Sequence, residues 1–208
     1  MSSFYPKVSI VMPLYNQEKF IKQCLLSVMN QSLKDIEIIV VNDGSTDNSL
    51  KIVSQLATKD KRIIILNNSN FGYGHAVNSG ISIARGQYIG IVETDDFVDK
   101  FMFEDLYNAT NEGNIDIVKS NFFNCYDVGF KKNKIRKCPS LGLFLPKSAI
   151  GKPFNVSQFP CILKGHPSIW SAIYNKNFLL KNKIKFNELK GAGWVDNPFF
   201  FETMLSAK

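Results

Sequence analysis

Two hydrophobic periods alternate along the first hundred residues. Val8-Ser9-Ile10-Val11-Met12 is a near-continuous apolar run and reads as a strand ended by Pro13. From Glu18 to Asn30, Phe20, Ile21, Cys24, Leu25, Val28 and Met29 recur at helical spacing. Ile36 to Val41 is a second strand, broken by Asn42-Asp43-Gly44. A second helix starts at Asp47 with Leu50, Val53, Leu56 and Ala57 on one face; Ser45, Thr46 or Asp47 can cap it. Ile63–Leu66 is a third strand, Gly74 to Arg85 a third helix stopped by Gly86, and Tyr88 to Val92 a fourth strand.

This alternation predicts an α/β fold: a mostly parallel sheet, covered by helices on both faces because its strands are apolar throughout. In such sheets ligands sit at the carboxyl ends of the strands. The polar residues there are Tyr15-Asn16, Asp43, the loop Asn67–Gly74 and Glu93–Asp96, which should converge on one crevice. Beyond Asp96 the pattern loosens. Phe101–Thr110 reads as a helix, Asp116–Tyr126 as one or two strands, and Lys131–Lys137 as a basic hairpin arm or loop. Ser168–Tyr174 reads as a strand and Lys176–Asn182 as a short helix. Asn197-Pro198 suits the Ncap and N1 positions of a last helix. That helix runs to the final residues with no terminal punctuation, so the natural protein is expected to continue.

With 208 residues and 45% hydrophobic positions, the chain can bury one sizeable core and is not disordered. Cys24, Cys125, Cys138 and Cys161 form no CxxC pair, which argues against a disulfide framework or zinc site and favours a reducing cytoplasm. No signal peptide and no apolar stretch of membrane-spanning length is expected. The net charge of +7 is divided: residues 1–120 carry 11 Lys and Arg against 14 Asp and Glu, residues 121–208 carry 14 against 4. Such a split suits a cation in the first half and an anion or membrane surface in the second; a lysine-rich solvated face is the plainer reading.

A dinucleotide-binding fingerprint needs G-x-G-x-x-G after the first strand, where this chain reads Pro13-Leu14-Tyr15-Asn16-Gln17-Glu18. No GxxxxGK[ST] phosphate loop occurs either. VSIVMPLYN, then VVNDGSTDNS, then N-x-G followed by N-S-G-I-x-x-A-x-G-x-Y-I-x-x-V-E-T-D-D, resembles the N-terminal half of the family 2 inverting glycosyltransferases. The resemblance covers Lys7 to Val98 in unbroken order. It implies the GT-A nucleotide-diphospho-sugar transferase fold, Rossmann-like, with residues 1–120 as its nucleotide-sugar part and 121–208 as the acceptor-side part of the same domain.

By that resemblance Asp43 binds the base and ribose of a UDP-like donor, and Tyr15, set by the strand exit at Pro13, stacks on the base. Asp43 as an Asx-turn residue and Tyr15 as a core-rim aromatic are the plainer alternatives. Glu93-Thr94-Asp95-Asp96 stands where the family carries D-x-D. Clustered carboxylates repel, and Mn²⁺ or Mg²⁺ is the hard cation that relieves them; Asp95 is the expected metal ligand. Glu93 replaces the usual Asp and is expected to act through the ribose or a water; Thr94 belongs to the same segment, and Asp96 lies toward the acceptor.

In the loop from Asn67 to Asn78, Asn70, Gly72, His75 and Asn78 are donor-side candidates, the glycines by admitting phosphate to backbone N–H groups at the helix start. The family often reads A-R-N where this chain has Ala76-Val77-Asn78, so His75 is a candidate replacement for the missing cation. Trp194-Val195-Asp196 falls where the family carries Glu-Asp; Asp196 is the expected general base, just outside the last helix, and Trp194 an acceptor-side platform or a core residue.

The function expected from the resemblance is metal-assisted, inverting transfer of a sugar, a UDP-sugar above others, to a glycan or lipid-linked acceptor. Bacterial surface polysaccharide or lipooligosaccharide synthesis is the setting it implies, with peripheral contact of the basic half on the inner membrane surface. A non-catalytic nucleotide-sugar-binding module is the alternative, supported by Glu93, Val77 and Val195. Nucleic acid is not an expected partner, because the basic residues do not interleave with aromatics on a recognisable module.

Overall fold

The computed structural model describes residues 5–128, 131–138, 144–191 and 193–208, with 126–128 and 131–137 described at the backbone only. The strands are β1 (Val8–Leu14), β2 (Ile36–Asp43), β3 (Ile63–Asn68), β4 (Tyr88–Ile91), β5 (Ile117–Lys119), β6 (Phe122–Val128), β7 (Lys131–Cys138) and β8 (Ala172–Asn175). The helices are α1 (Ile21–Met29), α2 (Ser49–Ala57), α3 (Tyr73–Ile83), α4 (Met102–Asn108), α5 (Lys176–Lys181) and α6 (Asp196–Ser206).

Six strands form one sheet in the order β3-β2-β1-β4-β8-β5. The first four are mutually parallel, and β8 runs antiparallel between β4 and β5. Every residue of β1 and β2 is buried, as expected of strands covered on both faces. Successive side chains go to opposite cores. Ile10, Met12, Ile38 and Val40 pack with α1 and α2, whereas Val11, Ile39 and Val41 pack with α3, α5 and α6. The separate basic segment is the β7 arm of an antiparallel hairpin with β6.

The register sets the site. Leu14 pairs with Asn42 and Asn42 with Asn67, so β1, β2 and β3 end level; Val11 pairs with Ile91, which brings the end of β4 beside them. The loops leaving β1 and β2 are tied to each other. Glu18 accepts the backbone N–H of Asn48 at 3.0 Å, and Asp47 accepts that of Glu18 at 3.0 Å. This exchange occupies residues expected in the first helix, which begins at Ile21 rather than Glu18. The last helix also differs from expectation. It begins at Asp196, so Asn197 and Pro198 lie inside its first turn and Asp196 is helical rather than outside. Proline is tolerated there because first-turn N–H groups have no partner within the helix.

Candidate active site

A cavity of about 490 Å³ opens at the ends of β1, β2 and β4. Of the residues singled out in the sequence, Pro13, Tyr15, Asp43, Asn70, Gly72, Glu93, Thr94 and Asp95 line it. A second cavity, of about 380 Å³, is lined by Asp196 and Trp194 together with Ile169, Trp170, Gly193 and Val195. The two share a wall made of Tyr73 and Glu93. His75, Asn78 and Asp96 line neither.

Asp43, only 4% exposed, holds the edge of the first cavity. Its Oδ1 accepts the N–H of Phe71 at 2.9 Å and its Oδ2 that of Gly72 at 2.8 Å. Asn42 shapes the turn itself, its Oδ1 accepting the N–H of Ser45 at 3.2 Å. A carboxylate has about four acceptor positions, so Asp43 keeps capacity for a ligand after fixing this loop. Thr94 is buried and donates its hydroxyl to the carbonyl of Pro13 at 3.0 Å, locking the exit of β1 to the end of β4.

The loop before α3 differs from the expected phosphate cradle. The N–H of Gly72 goes to Asp43, and that of Tyr73 to the carbonyl of Gly191 at 3.0 Å. A Cβ on Gly72 would collide with the carbonyl of Leu189, and one on Gly74 with that of Asn187. On the side where these glycines lack a Cβ the space is filled by the segment 186–191. His75 and Asn78 hold the same segment. His75 Nδ1 lies 3.1 Å from Glu188 Oε2, and Asn78 Nδ2 donates to Phe186 O and Glu188 Oε1, each at 2.9 Å. The hydrogen bonds of Asn78 and His75 keep the Glu188 carboxyl below the ordinary range. The physical reason is topological: the chain returns across α3 on its way to Trp194 and Asp196, and takes the polar groups of that helix face.

The residue missed in the sequence is Tyr73. The sequence pattern leaves it in the loop before the third helix, whereas it is the first residue of α3, near buried Ala76 and Val77. Its hydroxyl donates to Glu93 Oε1 at 2.5 Å. Burial pushes the Glu93 carboxyl up to about 7; the Tyr73 hydrogen bond opposes this, and the charges of Asp95, Asp96 and Asp196 add to it. Burial, followed by Asp95, also raises Asp96. The donor end of the cleft thus concentrates negative charge. Among the described residues no three His, Cys, Asp or Glu side chains converge to hold a metal by themselves.

The fold has known counterparts. The chain belongs to glycosyl transferase family 2, whose family model matches residues 9–178. It is 45% identical over 118 residues to EpsJ of Bacillus subtilis, an uncharacterized glycosyltransferase; the match covers 57% of this chain and 34% of that protein. TarS 1-349 of S. aureus, solved in complex with UDP-GlcNAc, superposes with a TM-score of 0.75 at 25% identity, covering 97% of this chain and 54% of that fragment. The mannosyltransferase PcManGT of Pyrobaculum calidifontis, solved with GDP-Man and Mn²⁺, gives a TM-score of 0.61 at 17% identity, covering 95% of this chain and 51% of that one. The fold is therefore of the GT-A type, a mixed, mostly parallel sheet flanked by helices. The chain spans a third to about half the length of these relatives. No helix among the described residues is long and apolar enough to cross a membrane.

Proposed function

We propose that this chain carries out metal-assisted, inverting transfer of a sugar from a UDP-sugar to a glycan or lipid-linked acceptor. The observation that carries the reading is the pair of cavities with one common wall. The first offers Asp43 and Tyr15 to a nucleoside and Asp95 to a diphosphate-bound cation; the second places Asp196 on the far side of Tyr73 and Glu93. A donor in one and an acceptor in the other would meet at that wall. The UDP-GlcNAc complex of TarS supports a uridine donor, and the Mn²⁺ complex of PcManGT supports a cation in this fold.

The residues fit a divalent ion. Burial and neighbouring carboxylates already push Glu93 and Asp96 up, so the cluster is short of positive charge, and all its donors are the oxygens that Mn²⁺ and Mg²⁺ accept. Asp95 would hold the ion, with Glu93 near it; diphosphate and water supply the other oxygens a lone carboxylate leaves out. A divalent ion held there would supply positive charge to the leaving diphosphate. Asp196, partly exposed in the second cavity, accepts the proton of the acceptor hydroxyl. The acceptor oxygen bonds to the anomeric carbon as its bond to the diphosphate oxygen breaks, the electron pair leaves with UDP, and the single in-line step inverts the centre.

Residues 1–120 supply the donor site, and 121–208 the acceptor side; the surplus of ten positive charges in the second part suits an anionic membrane surface. Bacterial surface polysaccharide or lipooligosaccharide synthesis is the setting that the family resemblance favours. The reading is tested by measuring UDP release from UDP-sugars over a panel of acceptors. Asp196→Asn is expected to lower turnover at least about a hundredfold, the scale of a lost general base, with UDP affinity unchanged. UDP binding without turnover on any donor, in wild type and Asp196→Asn alike, would instead mark a non-catalytic binding module.

A further inference from the structure

We propose that the cavity beside Asp196 is a subsite for an uncharged sugar ring, gripped by the indoles of Trp170 and Trp194, and that it discriminates against anionic acceptors. This rests on the donor reading above and adds the chemical class of the acceptor.

The lining divides into two kinds of surface. Ile169, Trp170 and Trp194 supply an apolar side; the Tyr73 hydroxyl, Glu93 and Asp196 supply a polar one. Such a division suits a pyranose, whose C–H face lies on aromatic surface while its hydroxyls donate to carboxylates. No Lys or Arg occurs among the described lining residues, although 121–208 holds 14 of them. A phosphate or uronate in this cavity would face Glu93 and Asp196 with no Lys or Arg in the described lining to offset them. The Lys and Arg residues of 121–208 therefore do not make the described lining of this subsite a receptor for anions.

Core packing does not account for Trp194. The residue is 81% exposed, and its backbone sits at φ +48°, a left-handed conformation that bulky side chains seldom adopt. Strain of this kind is retained where a side chain must be presented in a set direction. Trp170, in contrast, is fixed from behind. It lies on a 3-10 turn, Ile169–Ser171, whose entry carbonyls, Pro167 and Ser168, accept hydrogen bonds from the Lys119 ammonium at 2.6 and 2.5 Å. Its ring packs edge-on against Phe122, with centroids 4.8 Å apart. One wall is held by packing and the other is exposed to solvent, and both line the same cavity of about 380 Å³.

The chain has two tryptophans, and both line this cavity, so intrinsic fluorescence reads it directly. The experiment titrates the full chain with the methyl glycosides of glucose, galactose and N-acetylglucosamine, then with methyl glucuronide and ribitol 5-phosphate. UDP binding is followed separately by calorimetry. A saturable change with at least one neutral glycoside is expected, at a half-saturation about tenfold or more below that of either charged compound. Trp194→Ala, still reported by Trp170, should raise that half-saturation about tenfold with UDP affinity unaltered. The proposal is overturned if the charged compounds bind as well as the neutral ones, if Trp194→Ala leaves neutral binding intact, or if no neutral glycoside gives a saturable change. Absence of UDP binding strikes the donor reading instead, and is seen independently.

Discussion

The hydroxyl of Tyr73 lies 2.5 Å from Oε1 of Glu93, and these two side chains separate the two cavities of the cleft. A carboxyl there is raised from the ordinary 4.5 to about 7, chiefly by burial. The folded state consequently holds its proton more tightly than the unfolded chain. Its contribution to stability is complete below pH 4.5 and is lost as the pH rises through 7, where ionisation is opposed by burial. Glu93→Gln, which keeps an acceptor for Tyr73, should stabilise the metal-free protein by up to about 3 kcal/mol at pH 8, and by under about 1 kcal/mol at pH 5. Urea unfolding at the two pH values in chelator checks this; an equal gain at both would contradict it.

Gly74 should resist enlargement although it sits in a helix, where alanine is normally the better residue by up to about 1 kcal/mol. A Cβ there meets the carbonyl of Asn187, and the strap behind it leads to Asp196. Gly74→Ala is expected to cost about 2 kcal/mol, a loss of about 5 °C in Tm. By displacing the strap it should impair transfer more than UDP binding, which a comparison of turnover with calorimetry reveals.

Glu37, 2% exposed, accepts hydrogen bonds from Ser9 Oγ at 2.6 Å and from the backbone N–H of Arg85 at 2.6 Å, and pairs with its guanidinium at 2.8 Å. Burial pushes its carboxyl up, but the Ser9 and Arg85 bonds outweigh it, and the net shift is downward. This group therefore stabilises the fold above its ordinary range and loses that effect as the pH falls through its folded value. Glu37→Ala should cost about 2 kcal/mol at pH 7, the scale of lost hydrogen bonds to a charged group, since the Arg85 side chain is 58% exposed and stays hydrated. The penalty should shrink in denaturant titrations carried toward pH 3.

The sheet and the donor-side cluster were legible because they depend on local pattern. Apolar runs mark β1 to β4, and polar residues just beyond their ends fall in one crevice whenever parallel strands end level, as Leu14, Asn42 and Asn67 do. Insertion of β8 between β4 and β5 was not legible, since Ile173 pairs with Gly90 across more than eighty residues that carry no periodic signal of it. The same long-range return explains His75 and Asn78. Nothing near them in the sequence says that Glu188 and Phe186 arrive to take their hydrogen bonds. Tyr73 was hidden differently: the sequence pattern starts the third helix at Gly74 and leaves Tyr73 in the loop before it, and only the tertiary fold turns its hydroxyl onto Glu93.

The central claim is a cation-dependent uridine diphosphate site at Asp95, and calorimetric titration of UDP with and without Mn²⁺, on wild type and Asp95→Ala, tests it most directly. Binding to the wild type that strengthens at least about tenfold with Mn²⁺, and that Asp95→Ala reduces to its metal-free level, is the expected result. UDP affinity indifferent to both Mn²⁺ and Asp95→Ala, or no UDP binding at all, would contradict it.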